Sequence, residues 1–215
     1  GAVKKSPKAG KLKVIDTQAK AKVLLEHKES DQTHLVLGVR SFPLSHPSYY
    51  PLAMLSGVLG GGMSSRLFQK VRTEMGLGYY VRSSSDAWTD HGVFSASAGV
   101  VNERAGEAVA AIVNEFKRLK DELVSEEELN KTKDMLAGRL ILGLESSDEL
   151  TEYYGFQEIL RKKLATPDEV IAKMRKVTVK DIQKVAQEIF VTKHLNLALI
   201  GPWKDKKVFE KLLKF

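Results

Sequence analysis

Hydrophobic and polar positions along the 215-residue chain change their period several times, and each change predicts an element. Ala21–His27 and His34–Phe42 are short runs rich in Val and Leu, which predict two strands. The polar stretch Glu29–Thr33 between them predicts a hairpin-like turn. Leu52, Leu55 and Val58 recur at helical spacing from about Ser48 to Val58, and Gly60-Gly61-Gly62 ends that helix. Ser64 or Ser65 is placed to cap a second helix with Leu67, Phe68, Val71 and Met75 on one face, stopped by Gly76-Leu77-Gly78. Two strands follow, Tyr79–Trp88 and Val93–Val100, joined by a turn over Thr89–Gly92. In the second, Phe94, Ala96 and Ala98 share one face, and Ser95 and Ser97 the other.

Beyond Asn102 the helical period dominates. Ala108, Ile112, Phe116 and Leu119 form one stripe. Ser125 with Glu128 is a capping box that opens a helix running to about Leu144. Helices over Asp148–Leu164 and Pro167–Met174 come next, and Thr178 with Asp181 opens another through Phe190. Leu195–Ile200 returns as a strand before Gly201-Pro202 and a short C-terminal helix. This order predicts an α+β fold: a two-layer sandwich with a mostly antiparallel sheet and helices packed on one face. Residues 20–215 are expected to form this single domain. Residues 1–19, rich in lysine and containing Gly and Pro, are expected to be a flexible basic linker or an expression remnant.

Composition narrows the choice of function. The chain is 43% hydrophobic and 28% charged, enough apolar material for one core. It has no cysteine, which excludes disulfides, thiolate metal sites and cysteine nucleophiles. Of the net charge of +7, five units sit on Lys4, Lys5, Lys8, Lys11 and Lys13, among which there is no acid. Elsewhere lysines alternate with glutamates, and no arginine stripe with interleaved aromatics appears, so no nucleic-acid partner is expected. No apolar run approaches the roughly 20 residues of a membrane span. No membrane partner is expected, and bacterial cytoplasm and periplasm both remain open.

Chemistry concentrates in Leu59–Val81, LGGGMSSRLFQKVRTEMGLGYYV. Arg72 lies near the end of the predicted helix and Tyr79 at the start of the strand. A helix end meeting a strand start can project both into one cleft. There Arg72 would offer a permanent charge and a fork of donors, and Tyr79 a hydroxyl for a developing oxyanion. On the residues alone, a plainer role stands beside this one: Arg72 at a helix C-terminus and Tyr79 packed at a sheet edge. The triple glycine lacks the lysine of a phosphate loop. Ser64 and Ser65 read as caps rather than nucleophiles, and Trp88 and Trp203 as packing residues. His34, His46, His91 and His194 show no ligand spacing and read as surface or strand-edge residues.

The segment Gly60-Gly61-Gly62, Ser65-Arg66-Leu67, Arg72 and Gly76-Leu77-Gly78-Tyr79 resembles the second-half motif of a zinc metallopeptidase family. That family comprises the pitrilysin, insulin-degrading and mitochondrial processing peptidases (the inverzincins). Its members have an arginine, six residues, then a tyrosine preceding an apolar strand. The resemblance implies that this chain is the C-terminal, non-zinc-binding domain. Arg72 and Tyr79 would then be substrate-binding residues, with Tyr79 also assisting catalysis by oxyanion stabilisation. The family's zinc motif, H-x-x-E-H on a helix, is not met here. The nearest run, Val23-Leu24-Leu25-Glu26-His27, has Val at the first ligand position and reads as a strand. No cofactor or metal is therefore expected in this chain, and zinc is expected in a partner half.

The resemblance implies half of a zinc metalloendopeptidase. This chain would close a chamber over an unfolded peptide, with a catalytic zinc-binding domain or subunit of the same family as partner. It cannot be a working peptidase alone, and in isolation it would expose surfaces through which it can self-associate. The alternative is a catalytically inactive structural or peptide-binding homologue, a scaffold subunit. A third reading, an unrelated α+β interaction domain, predicts inert Arg72 and Tyr79 substitutions.

Overall fold

The computed structural model describes residues 10, 12, 14–161 and 163–215. The five lysines of the basic opening lie outside the described residues. Five strands, β1 (Lys22–His27), β2 (Gln32–Ser41), β3 (Gly78–Ala87), β4 (Gly92–Val101) and β5 (Asn196–Gly201), form one sheet in the order β1-β5-β2-β4-β3. Only β1 and β5 run parallel; β5–β2, β2–β4 and β4–β3 are antiparallel, in keeping with the mostly antiparallel expectation.

The hairpin-like turn after β1 is corrected by this order. The C-terminal strand β5 sits between β1 and β2, so the short connection spans two strand spacings, roughly 10 Å. Asn102 holds it from the far end of β4, its Nδ2 donating to Ser30 O at 2.6 Å. Local sequence cannot reveal a partner strand some 170 residues away. In the expected linker, Gln18 is tied to that same strand. Its Nε2 donates to Lys193 O at 2.8 Å, and its Oε1 accepts from Asn196 Nδ2 at 3.0 Å.

Among the described residues seven α-helices accompany the sheet: α1 (Tyr49–Gly60), α2 (Ala105–Asp121), α3 (Glu126–Leu142), α4 (Ser147–Leu160), α5 (Pro167–Arg175), α6 (Val179–Ile189) and α7 (Lys207–Glu210). Helices α1, α2 and α6 pack on the sheet, and α3 and α5 pack outward on α1. Both expected capping boxes form, Ser125 with Glu128 and Thr178 with Asp181. So do two others of the same pattern, Ser146 with Glu149 and Thr166 with Glu169. α4 ends at Leu160 rather than Leu164, because Arg161 turns extended while Gln157 folds back to bond Ala165 N at 2.9 Å.

The core lies between sheet and helices. Leu35, Leu37, Val39, Phe94, Ala96, Ala98, Leu197 and Leu199 point inward and meet Ile112, Phe116, Ile182 and Phe190. Phe94, Phe116 and Phe190 make ring contacts of 4.3 to 6.0 Å between centroids. The other sheet face is open, and Leu24, Val36 and Ile200 are exposed on it. Trp203 packs as expected, edge-on to Phe209 at 5.1 Å, with its indole N–H on Thr33 Oγ1 at 2.9 Å. Trp88 does not: it is about half exposed and stacks on His91 at 4.9 Å.

Candidate functional site at the junction before β3

The segment from Gly60 to Tyr80 departs from the simple helix–stop–strand expectation in three places. First, Gly60 is still helical, and α1 runs its last turn directly onto β3. A Cβ at Gly60 would collide with the Ser83 backbone nitrogen and lie 2.9 Å from the Arg82 carbonyl carbon, so only glycine allows this approach. Second, neither serine caps the next helix. Ser65 Oγ instead donates to Gly62 O at 2.5 Å, holding the tight loop that the glycines make.

Third, that helix is short and widens. After Arg66 and Leu67, residues Phe68–Glu74 form a π-helix, closed by Met75 N donating to Lys70 O at 3.1 Å. Leu67 and Val71 stay fully buried, which anchors the inner side. π-turns of this kind are rare and often found at functional sites. Gly76, at φ +61°, turns the chain in the left-handed region, and Leu77 N bonds back to Val71 O at 2.9 Å.

β3 then opens with a bulge. Gly78 opposes Val100 and Tyr80 opposes Gly99, so Tyr79 has no partner in the ladder. A regular pleat would send Tyr79 and Tyr80 to opposite sides, and the bulge removes that pleat. Tyr79 is 58% exposed. Arg72 is exposed as well, in the last turn of the π-helix, its guanidinium 5.0 Å from the Phe68 ring centroid. Among the described residues the Arg72 side chain has no ion pair and the Tyr79 side chain no hydrogen bond. Both side chains thus leave the same π-helix-to-strand junction with their polar groups open to outside partners.

Arg66 fixes the start of this segment. Its Nε and Nη2 donate to the two carboxylate oxygens of Glu128 at 2.8 and 3.0 Å. Glu128 also completes the α3 capping box, accepting from Ser125 N at 3.1 Å. The Arg66 hydrogen bond is the main reason that the Glu128 carboxyl is held below its ordinary value of 4.5. A carboxylate lowered in this way stabilises the fold above its unfolded pKa, and that contribution is lost as pH falls through the folded value. Arg66→Gln is therefore expected to cost about 1.5 kcal/mol at neutral pH and much less at an acid pH that protonates Glu128. Urea unfolding at both pH values checks this; an equal loss at both would rule out the ion pair as the cause.

Among the described residues no group of three or more His, Asp or Glu could hold a metal ion. Val23–His27 lies in strand β1. Two other histidines take local partners: His46 stacks on Phe42 at 4.0 Å, and His91 Nδ1 is 2.8 Å from Asp90 Oδ1. His34 is a surface residue, as expected, away from the edges of the sheet. It lies on the exposed face of the central strand β2, with Nδ1 3.2 Å from the hydroxyl of Tyr80. Sequence reading passed over this pair, because no local signal links residues on strands that do not adjoin.

Comparison with known proteins places the chain in a known class. A family model, Peptidase M16 inactive domain, matches residues 1–136, and the chain belongs to that family. It is 35% identical over 83% of its length to "Uncharacterized zinc protease YmxG" of Bacillus subtilis, covering 44% of that protein. An "Uncharacterized zinc protease" of Streptomyces coelicolor is 30% identical over 94% of this chain and 43% of its own length. The chain thus spans less than half the length of these curated relatives. Among solved structures, a protease from Helicobacter pylori superposes with a TM-score of 0.83 at 24% identity, over 93% of this chain and 48% of that one. A peptidase M16 inactive domain from Pseudomonas fluorescens gives 0.79 at 22% identity, over 94% of this chain and 49% of that one. These structures share the fold.

Proposed function

We propose that this chain is the substrate-binding, non-zinc-binding half of a zinc metalloendopeptidase. The observation that supports it is the junction before β3, which leaves Arg72 and Tyr79 both exposed and without internal polar partners. Arg72 binds carbonyl oxygens of an extended, unfolded peptide through its donor fork. Tyr79 donates its hydroxyl to the oxygen of the scissile carbonyl as negative charge develops on it. Metal and a water-activating glutamate belong to the other half, as the relatives' names as zinc proteases and their double length suggest.

A partner surface has separate support. Along α4 only Gln157 is buried, while Phe156, Ile159 and Leu160 are exposed, as are Ile141 and Leu142 at the end of α3. Asp148, Glu149, Glu152 and Glu158 add acid on a helix with no Lys or Arg. A helix with apolar residues around much of its girth is normally covered. In this reading the zinc-binding half covers it with an apolar surface rimmed by basic groups. Phe156→Glu with Ile159→Glu is expected to weaken association of the two separately expressed halves at least roughly tenfold, measured by sedimentation. Unchanged association would move the interface elsewhere.

The test of function uses the full-length, metal-loaded protein with a fluorogenic peptide. The double variant Arg72→Ala, Tyr79→Phe is expected to lose nearly all peptidase activity with unchanged zinc content. Full activity in that variant sinks the substrate-binding role. No peptidase activity in the unaltered protein supports a scaffold instead.

A further inference from the structure

Tyr79 is the extra residue of a bulge, so the pleat does not set its direction; its flanking residues do. On one side Gly78 packs against Val71, where an added Cβ would be 3.6 Å from Val71 Cγ1. On the other side Tyr80 makes an unusually long reach. Its ring lies across Gly99 of β4, where a Cβ would stand 2.5 Å from Tyr80 Cε1 and 3.0 Å from Cδ1. Beyond Gly99 the ring stacks on His34 of β2, with centroids 6.0 Å apart and planes at 23°. The Tyr80 hydroxyl is 3.2 Å from His34 Nδ1. The Arg82 guanidinium lies 5.8 Å from the centroid of the Tyr80 ring, and its Nε donates to Ser97 Oγ at 3.2 Å. One side chain therefore spans three strands, and glycine at position 99 leaves it room.

We propose that Tyr80, held on His34 across Gly99, is a positioning residue that fixes the bulge and aims Tyr79. This rests on the reading of Tyr79 as a donor to substrate. The Tyr79 side chain has no hydrogen bond or ring contact of its own among the described residues, so its aim comes from its backbone. Misplacing a catalytic donor by about 1 Å can cost on the order of 100-fold in rate. A surface contact between exposed side chains, by contrast, usually changes stability by no more than about 0.5 kcal/mol. Positioning and mere stabilisation therefore predict different results.

The experiment measures kcat, KM and melting temperature in the full-length, metal-loaded protein for His34→Ala, Tyr80→Phe and Gly99→Ala. It repeats each on a Tyr79→Phe background. His34→Ala and Gly99→Ala are expected to lower kcat roughly tenfold with little change in KM, and Tyr80→Phe by less. His34→Ala removes an exposed side chain and should leave the melting temperature unchanged. On the Tyr79→Phe background none of them is expected to cause further loss. If Tyr79→Phe lowers kcat while His34→Ala leaves it unchanged, or if their losses simply multiply, the positioning role is overturned and the functional reading stands. If Tyr79→Phe is itself silent, both are overturned.

Discussion

Tyr79→Phe in the full-length, metal-loaded protein is expected to lower kcat by about 100-fold while KM stays within about twofold. The substitution removes one oxygen and keeps the ring, so shape and exposure at the bulge are preserved. A hydroxyl that meets the substrate oxygen only as charge develops contributes to the transition state and not to the ground state, and its loss appears in kcat. Arg72→Ala should behave in the opposite sense. A guanidinium that grips carbonyls of the bound peptide contributes to both states, so KM rises roughly tenfold and kcat changes less. Steady-state kinetics on one fluorogenic peptide separates the two. If Tyr79→Phe raised KM and spared kcat, the hydroxyl would be a binding group only. If neither variant changed either constant, the junction would not face substrate.

Gly60→Ala carries the largest expected loss of stability, about 3 kcal/mol, read as a shift in the urea midpoint without a change in slope. Its Cβ would meet the backbone of Ser83 and Arg82, which cannot swing aside as a side-chain tip can. Either α1 lifts from β3 or the strand bends. The bond between Ser83 Oγ and Ser56 O on α1 would be strained in both cases. Gly76→Ala is the control. An added methyl there has open space around it, and the cost comes only from holding alanine at φ +61°, about 1 kcal/mol. Equal losses at the two glycines would show that close approach is not what Gly60 serves.

Both predictions concern a stretch that stands out in the sequence before its geometry is known. The glycines, Arg72 and Tyr79 stand out along the chain, and the family resemblance attaches to those residues. Their surroundings do not stand out. A π-helix and an α-helix share the same apolar positions here, Leu67 and Val71, and only the closing bond from Met75 to Lys70 tells them apart. The bulge at Tyr79 depends on register against Gly99 and Val100, 20 and 21 residues away. The Tyr80–His34 contact is more distant still, since β4 runs between their strands.

Elements set by near neighbours were determined by the sequence alone. Four capping boxes pair residues three apart, and the β3–β4 pair closes over four residues. The alternation of Phe94, Ala96 and Ala98 with Ser95 and Ser97 likewise assigns the buried face of β4. Each rests on hydrogen bonds or periodicity within a few residues, where chain connectivity itself brings the partners together. The tertiary structure decided what no local term can weigh. β5 inserts between β1 and β2 because its apolar face completes the core, and Gly60 meets β3 because α1 must lie flat on the sheet. Tyr79 leaves the ladder because the register on either side of it differs by one residue. Such contacts pair residues far apart in sequence, and their free energy exists only once the whole core has closed.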